Sequence, residues 1–279
     1  VATRTGEKRP ARAPQRGLVA YLKERHDPLT SLLLTVPVFV LYHLGILAMP
    51  LRNGVDLVSQ VTFELLSRSL LGYVAVTLGY AAAIAVAVQV LRRKGKIRPA
   101  ELLPVLGESV LLAMLMSLLV GWTTHQLFDW QVGPHAMGPF EKLVMSAGAG
   151  FHEELVFRVG LFGGGAFALE RLSRRERSER RRIGEREGLA PRPERNRSTI
   201  HRPPWSKLSA TKAAWIAAVV SSLLFSAIHY VGALGDDFSL TSFTFRFLAG
   251  LFLTAVYRFR GFAVAVYTHT IYDVIVFFL

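Results

Sequence analysis

The chain has 279 residues, 51% of them hydrophobic, a mean hydropathy of +0.34, no cysteine and a net charge of +13. Its apolar residues come in blocks of membrane-spanning length instead of being dispersed by amphipathic patterning. That excludes an ordinary soluble domain and predicts an all-α, polytopic integral membrane protein. The lack of cysteine excludes a thiol nucleophile, disulfides and thiolate-bound zinc.

Residues 1–27 are rich in Arg, Pro and Ala, carry seven Lys or Arg and lack an apolar run. They read as a disordered basic tail on the cytoplasmic face. The first apolar block follows at full spanning length without a cleavage pattern, so the tail is not expected to be a cleavable signal. Residues 28–279 are expected to form the membrane core. The first span is read at about Leu29 to Met49, with Pro37 as a kink. Asp56 to Arg68 is short and amphipathic and suits the interface. The second span, about Leu70 to Leu91, is closed by RRKGKIR (Arg92 to Arg98), and the third is about Glu108 to Trp122. A loop from Thr123 to Pro139 follows, without Lys or Arg.

The fourth span, Phe140 to Leu169, contains FHEELVFRVG, with Glu153, Glu154 and Arg158 in an otherwise apolar run. Its Gly148, Gly150, Gly160 and Gly164 predict close helix approach, the last two at GxxxG spacing. Residues 170–212 form a basic insertion with fourteen Lys or Arg, read as a helical extension and a Pro-rich part. The fifth span is about Ala213 to Val231, the sixth Ser242 to Tyr257 and the seventh Gly261 to Leu279. With a cytoplasmic N-terminus, the inside segments 1–27, 92–100, 170–212 and 258–260 hold 7, 5, 14 and 2 of the 33 basic residues. The positive-inside rule then holds at every connection, and the expected location is the bacterial inner (plasma) membrane.

Charges inside a membrane cost at least ~2.5 kcal/mol each on insertion scales, so they need partners and usually mark function. Glu154 and Arg158 are i, i+4 and can pair, while Glu153 points about a quarter turn away. The fifth span carries FSAIH, ending at His229, and the seventh carries HTIYD, which puts His269 and Asp273 on one helical face. With a rise of ~1.5 Å per residue, counted from the cytoplasmic edges, these groups reach depths at which one intramembrane site can gather them. A carboxylate in a low-dielectric pocket can serve as general base toward water, one histidine can share that water, and a second can stabilise an oxyanion. This set suits hydrolysis of an amide.

The order EExxxR, FxxxH and HxxxN/D on successive spans resembles the CAAX-protease and bacteriocin-processing (CPBP, or Abi) family of intramembrane proteases, which includes the Rce1 type of prenyl-protein endopeptidase. The resemblance runs from about residue 100 to the C-terminus. It implies that Glu153 activates water with His229, that Arg158 holds Glu154, and that His269 with the last motif residue supports the oxyanion. Asp273 stands where an Asn is usual. An ionised Asp cannot donate a hydrogen bond, so it is expected to be protonated, to orient His269 or to ligate a metal. If a divalent metal such as zinc takes part, Glu153, His229 and His269 are its expected ligands; a metal-free glutamate mechanism is the alternative.

The leading expectation is an endopeptidase that cuts near the C-terminus of a membrane-associated, lipidated or C-terminally anchored protein or peptide. The alternative is a catalytically silent immunity or scaffold protein, and both glutamates are intact against it. A transporter would carry paired interrupted helices in its two halves, and none is evident. Membrane lipid is an expected partner and nucleic acid is not, because the Arg-rich insertion lacks interleaved aromatics. His43 reads as structural, and His152 matches no position of the resemblance. His125 and His135 fall in the outer loop. Arg246 reads as an interfacial anchor, with contact to a substrate carboxylate as the minority reading, and Phe247 and Gly250 read as packing positions.

Overall fold

Three of the helices begin where a short polar side chain satisfies their first backbone donors. In the computed structural model the Asp27 carboxylate accepts from the N–H groups of Leu29 at 2.9 Å and Thr30 at 3.2 Å. This caps helix α1, Pro28–Ala48. The Ser209 and Ser239 hydroxyls cap two later helices through the N–H groups of Lys212 and Ser242. The described residues are 21, 24–48, 70–127, 138–186, 209–231 and 236–278. The amphipathic segment 56–68, most of the loop 123–139, residues 187–208 of the basic insertion, His135 and the His125 side chain lie outside them.

After α1 come α2 (Leu70–Arg92), a 3₁₀ turn (Pro99–Glu101) and α3 (Leu102–Leu127). Next are α4 (Pro139–Gly148), a π-helical stretch (Ala149–Gly164) and α5 (Gly165–Arg186), wound as one continuous rod. The chain ends with α6 (Ala210–Ile228), α7 (Leu240–Arg260) and α8 (Phe262–Phe278). No strand occurs among the described residues. Among the described residues, five helices are long and apolar enough to cross a membrane: Pro28–Ala48, Leu71–Arg92, Pro99–Thr123, Ala210–Ile228 and Leu240–Arg260. The other two expected spans differ in kind. α8 is apolar but only 17 residues long. The fourth carries Glu153, Glu154 and Arg158 through its middle.

Three sequence expectations need correction. The third helix begins at Leu102, so Glu108 lies within it and does not start it. The fourth span is not a uniform α-helix. Its π winding rises less per residue, so depths counted at ~1.5 Å per residue are too long there. Such windings usually last a single turn and frequently mark functional sites. Finally, Gly160 and Gly164 do not pair with another described helix. Among the described residues, a Cβ at either would meet only a carbonyl of its own helix, at 3.6 and 3.9 Å.

Gly148 and Gly150 do serve close approach. A Cβ on Gly148 would stand 2.3 Å from the Tyr42 ring of α1, and one on Gly150 would stand 2.0 Å from Thr270 Oγ1 and 2.9 Å from the Thr270 nitrogen of α8. Gly250 likewise brings α7 onto Ser222 and Phe225 of α6. α8 is the centre of the bundle and packs on α1, α3, α4, α7 and the π stretch. Ala263, Val264, Ala265 and Val266 are accordingly fully buried. Leu71, Leu78, Val86, Leu103, Leu111 and Leu118 are exposed on the outer faces of α2 and α3, as lipid-facing side chains are.

One end of the bundle is closed by a polar clasp. Arg260, at the tight α7–α8 reversal where Gly261 takes φ +103°, is ion-paired with Glu108 of α3. The Tyr21 hydroxyl donates to the same carboxylate at 2.9 Å, and His26 Nδ1 lies 2.8 Å from Glu101. Burial works against protonation of His26, but the Glu108 and Glu101 carboxylates outweigh it and hold its pKa above the ordinary 6.5. Tyr21 and residues 24–27 were counted with the basic tail in the sequence. They are docked here, and His26 is buried.

Candidate functional site

The site is built outward from Arg158 and Glu154, both fully buried at 0% exposure. Arg158 Nε lies 3.1 Å from Glu154 Oε2. The two atoms are close but poorly aligned for a hydrogen bond, so the contact is an ion pair. The guanidinium stacks on the Phe225 ring of α6, 4.4 Å from its centroid. α6 is tied to the π stretch again by the Ser221 hydroxyl, which donates to the Phe157 carbonyl. An arginine in an apolar interior thus meets the Glu154 carboxylate and the Phe225 ring.

The other oxygen of Glu154 reaches across to α8, where Oε1 is 2.9 Å from His269 Nδ1. With Arg158 beside it, Glu154 is the acceptor and His269 Nδ1–H the donor. This fixes the ring and turns Nε2 toward Glu153 Oε2 at 3.8 Å and Asp273 Oδ2 at 3.6 Å. His229, at the end of α6, is set in the same way. Its Nδ1–H donates to the Phe225 carbonyl at 2.8 Å, which leaves Nε2 directed at Glu153 Oε1, 4.0 Å away. Glu153 therefore lies between two imidazole Nε2 atoms from two other helices.

All six sequence candidates are brought together: Glu153, Glu154 and Arg158 on the π stretch, His229 on α6, and His269 and Asp273 on α8. The sequence paired Glu154 with Arg158 alone, but the carboxylate bridges Arg158 and His269. Phe225 was not read as a site residue. It touches Arg158, His229 and His269, with ring distances of 5.3 Å to His229 and 6.0 Å to His269. Its place as the F of FxxxH was the available signal. The side chains open in one direction. Glu154 and Arg158 are sealed, whereas the side chains of Asp273 and His229 are 18% and 25% exposed.

Two other histidines stay outside this group. His43 Nδ1 lies 2.8 Å from the Tyr73 hydroxyl, and His152 Nδ1 lies 3.1 Å from the Gly148 carbonyl; both sit in an aromatic cluster with Tyr42. Glu153, His229 and His269 are donors of the kind zinc accepts, and each imidazole already gives its Nδ1–H to an oxygen, as ligating histidines do. Yet no three His, Asp or Glu side chains among the described residues are grouped closely enough to hold one ion.

The family described as type II CAAX prenyl endopeptidase Rce1-like matches residues 137–275, a range that contains all six site residues and is narrower than the resemblance read from the sequence. No curated protein and no solved structure matches the chain. Through this domain the chain belongs to the Rce1-like family of CAAX-type intramembrane proteases.

Proposed function

We propose that the protein is an endopeptidase that cleaves near the C-terminus of a membrane-associated protein or peptide, with Glu153 and His229 activating the attacking water. The observation that supports this is the 4.0 Å gap between Glu153 Oε1 and His229 Nε2. The gap is too wide for a direct hydrogen bond and suits one water bridging two acceptors. A water donating both protons there presents its lone pairs outward, toward a scissile carbonyl.

In this reading Glu153 takes a proton as the water oxygen bonds to the carbonyl carbon. His269, protonated on Nε2, donates to the developing oxyanion from the other side of Glu153. Collapse of the tetrahedral intermediate breaks the C–N bond, and Glu153 returns its proton to the leaving nitrogen. The products are a carboxylic acid and an amine. Arg158 and Glu154 touch no reacting atom and position His269. Asp273, an acceptor 3.6 Å from His269 Nε2, orients that ring. The basic segments face the cytoplasm of a bacterial inner membrane, and lipid surrounds the exposed apolar faces.

The test is hydrolysis of lipid-anchored peptides by purified protein, comparing wild type with Glu153→Gln and His229→Ala. A general base contributes roughly 10²–10⁴ in rate, so each substitution is expected to lower kcat at least a hundredfold. Retention of wild-type rates by either variant would overturn the site assignment. Each sample is also run with chelator. Survival of activity supports the protein-only route, and loss on chelation that zinc restores overturns it.

A further inference from the structure

The open side of the site carries an arginine that the hydrolytic chemistry does not use. Arg246, on α7, is held in place by two contacts. Its Nη2 is paired with the Asp236 carboxylate, and its guanidinium lies over the Tyr230 ring at 5.4 Å. Both partners belong to the connection that leaves His229. Tyr230 is the next residue, and the Asp236 N–H donates to the His229 carbonyl at 2.8 Å. The cation therefore sits in the immediate electrostatic neighbourhood of the His229 imidazole.

The guanidinium is under-used. Nη1 is buried and has no hydrogen-bond partner among the described residues. A guanidinium has five donors in a planar fork that matches a carboxylate. Its ionic partner among the described residues, Asp236, is well exposed, with 57% of its side chain accessible. An interfacial anchor would direct a cation away from the protein. This one is kept beside the histidine that faces Glu153, with its Nη1 buried.

We infer that Arg246 receives the free C-terminal carboxylate of the substrate, and so sets the scissile bond at a fixed short distance from the chain end. The assignment rests on the endopeptidase reading above. Asp236 occupies the fork until a substrate arrives and competes with it. The recognised ligand is a peptide α-carboxylate, bound by charge-assisted hydrogen bonds that a C-terminal amide cannot reproduce.

The experiment measures binding apart from cleavage. The probe is a fluorescent S-farnesylated peptide ending in Cys-Val-Ile-Ser, with the bond after the cysteine reduced to CH₂–NH. It is made both as the free acid and as the C-terminal amide. Wild-type protein in detergent is expected to bind the acid about tenfold or more tightly than the amide. Arg246→Gln is expected to abolish that preference while binding the amide as wild type does, which also shows that the variant is folded. Arg246→Lys restores part of the preference. Asp236→Asn, which removes the competitor, is expected to tighten binding of the acid alone; a merely structural Arg246–Asp236 pair would not produce this gain. Equal binding of acid and amide by wild type, including no binding of either, overturns the assignment. So does a preference that survives Arg246→Gln. Hydrolysis of the unreduced peptide is followed in parallel, and its failure bears on the endopeptidase reading alone.

Discussion

Arg158 shows how one side chain can organise a site without touching the reaction. Burying a guanidinium is costly unless a charge meets it, and Glu154 does so at 3.1 Å while Phe225 covers one face. The pair's second use is to hold His269 through the remaining Glu154 oxygen. Removing one member of a buried pair leaves the other uncompensated and typically costs about 3–5 kcal/mol. Arg158→Met is therefore expected to lower the unfolding temperature in detergent by several degrees and to abolish activity. The double variant Arg158→Met with Glu154→Gln should recover much of the stability but not the activity. Thermal unfolding of the three proteins checks this; an Arg158→Met protein as stable as wild type would remove the ion pair from the account. The i, i+4 spacing made the Glu154–Arg158 contact legible in the sequence. The bond to His269 was not, because it joins residues 115 positions apart on different helices.

Among the elements, α8 and the π stretch decide where the chemistry sits. They touch at Gly150, whose missing side chain lets the backbone of Thr270 come within 2.9 Å of where a Cβ would lie. Thr270 follows His269 directly, so this contact also sets the height of the imidazole against Glu154. Because two of the three clashing atoms are backbone, no rotamer change relieves them. Gly150→Ala is expected to destabilise the protein by about 1–3 kcal/mol, as overpacking does, and to lower kcat by displacing His269. Gly160→Ala, which meets only its own helix, is expected to do neither. Melting curves and turnover of the two variants side by side test the contrast, and equal behaviour would show that the Gly150 contact is not a constraint. Four glycines in one span suggested close approach, but composition could not say which of them face a neighbour.

At the scale of the whole molecule the two ends of the bundle differ. The end bearing the α7–α8 reversal is shut by the clasp of Glu108, Arg260, His26 and Tyr21, while His229, Asp236 and Arg246 lie at the other end, where the Asp236 side chain is exposed. We propose, from the positive-inside rule, that the end bearing the clasp faces the cytoplasm and the end bearing His229 lies on the outer side of the membrane. The cysteine-free sequence permits a direct check. Asp237→Cys, next to Asp236, is expected to react with a membrane-impermeant maleimide in right-side-out vesicles, and Ala210→Cys, at the other end of α6, only in inside-out vesicles. The reverse pattern would overturn the orientation. The sequence by itself determined the membrane class, the all-helical fold and all six polar candidates, because hydropathy and charge inside apolar blocks are local properties of a chain. Only the tertiary structure decided that Glu154 serves His269 as well as Arg158, that Glu153 faces two Nε2 atoms, and that residues of the basic N-terminal region close one end. Each of these depends on the side-by-side packing of helices far apart in the chain, and on a π winding that shifts which side chains share a face.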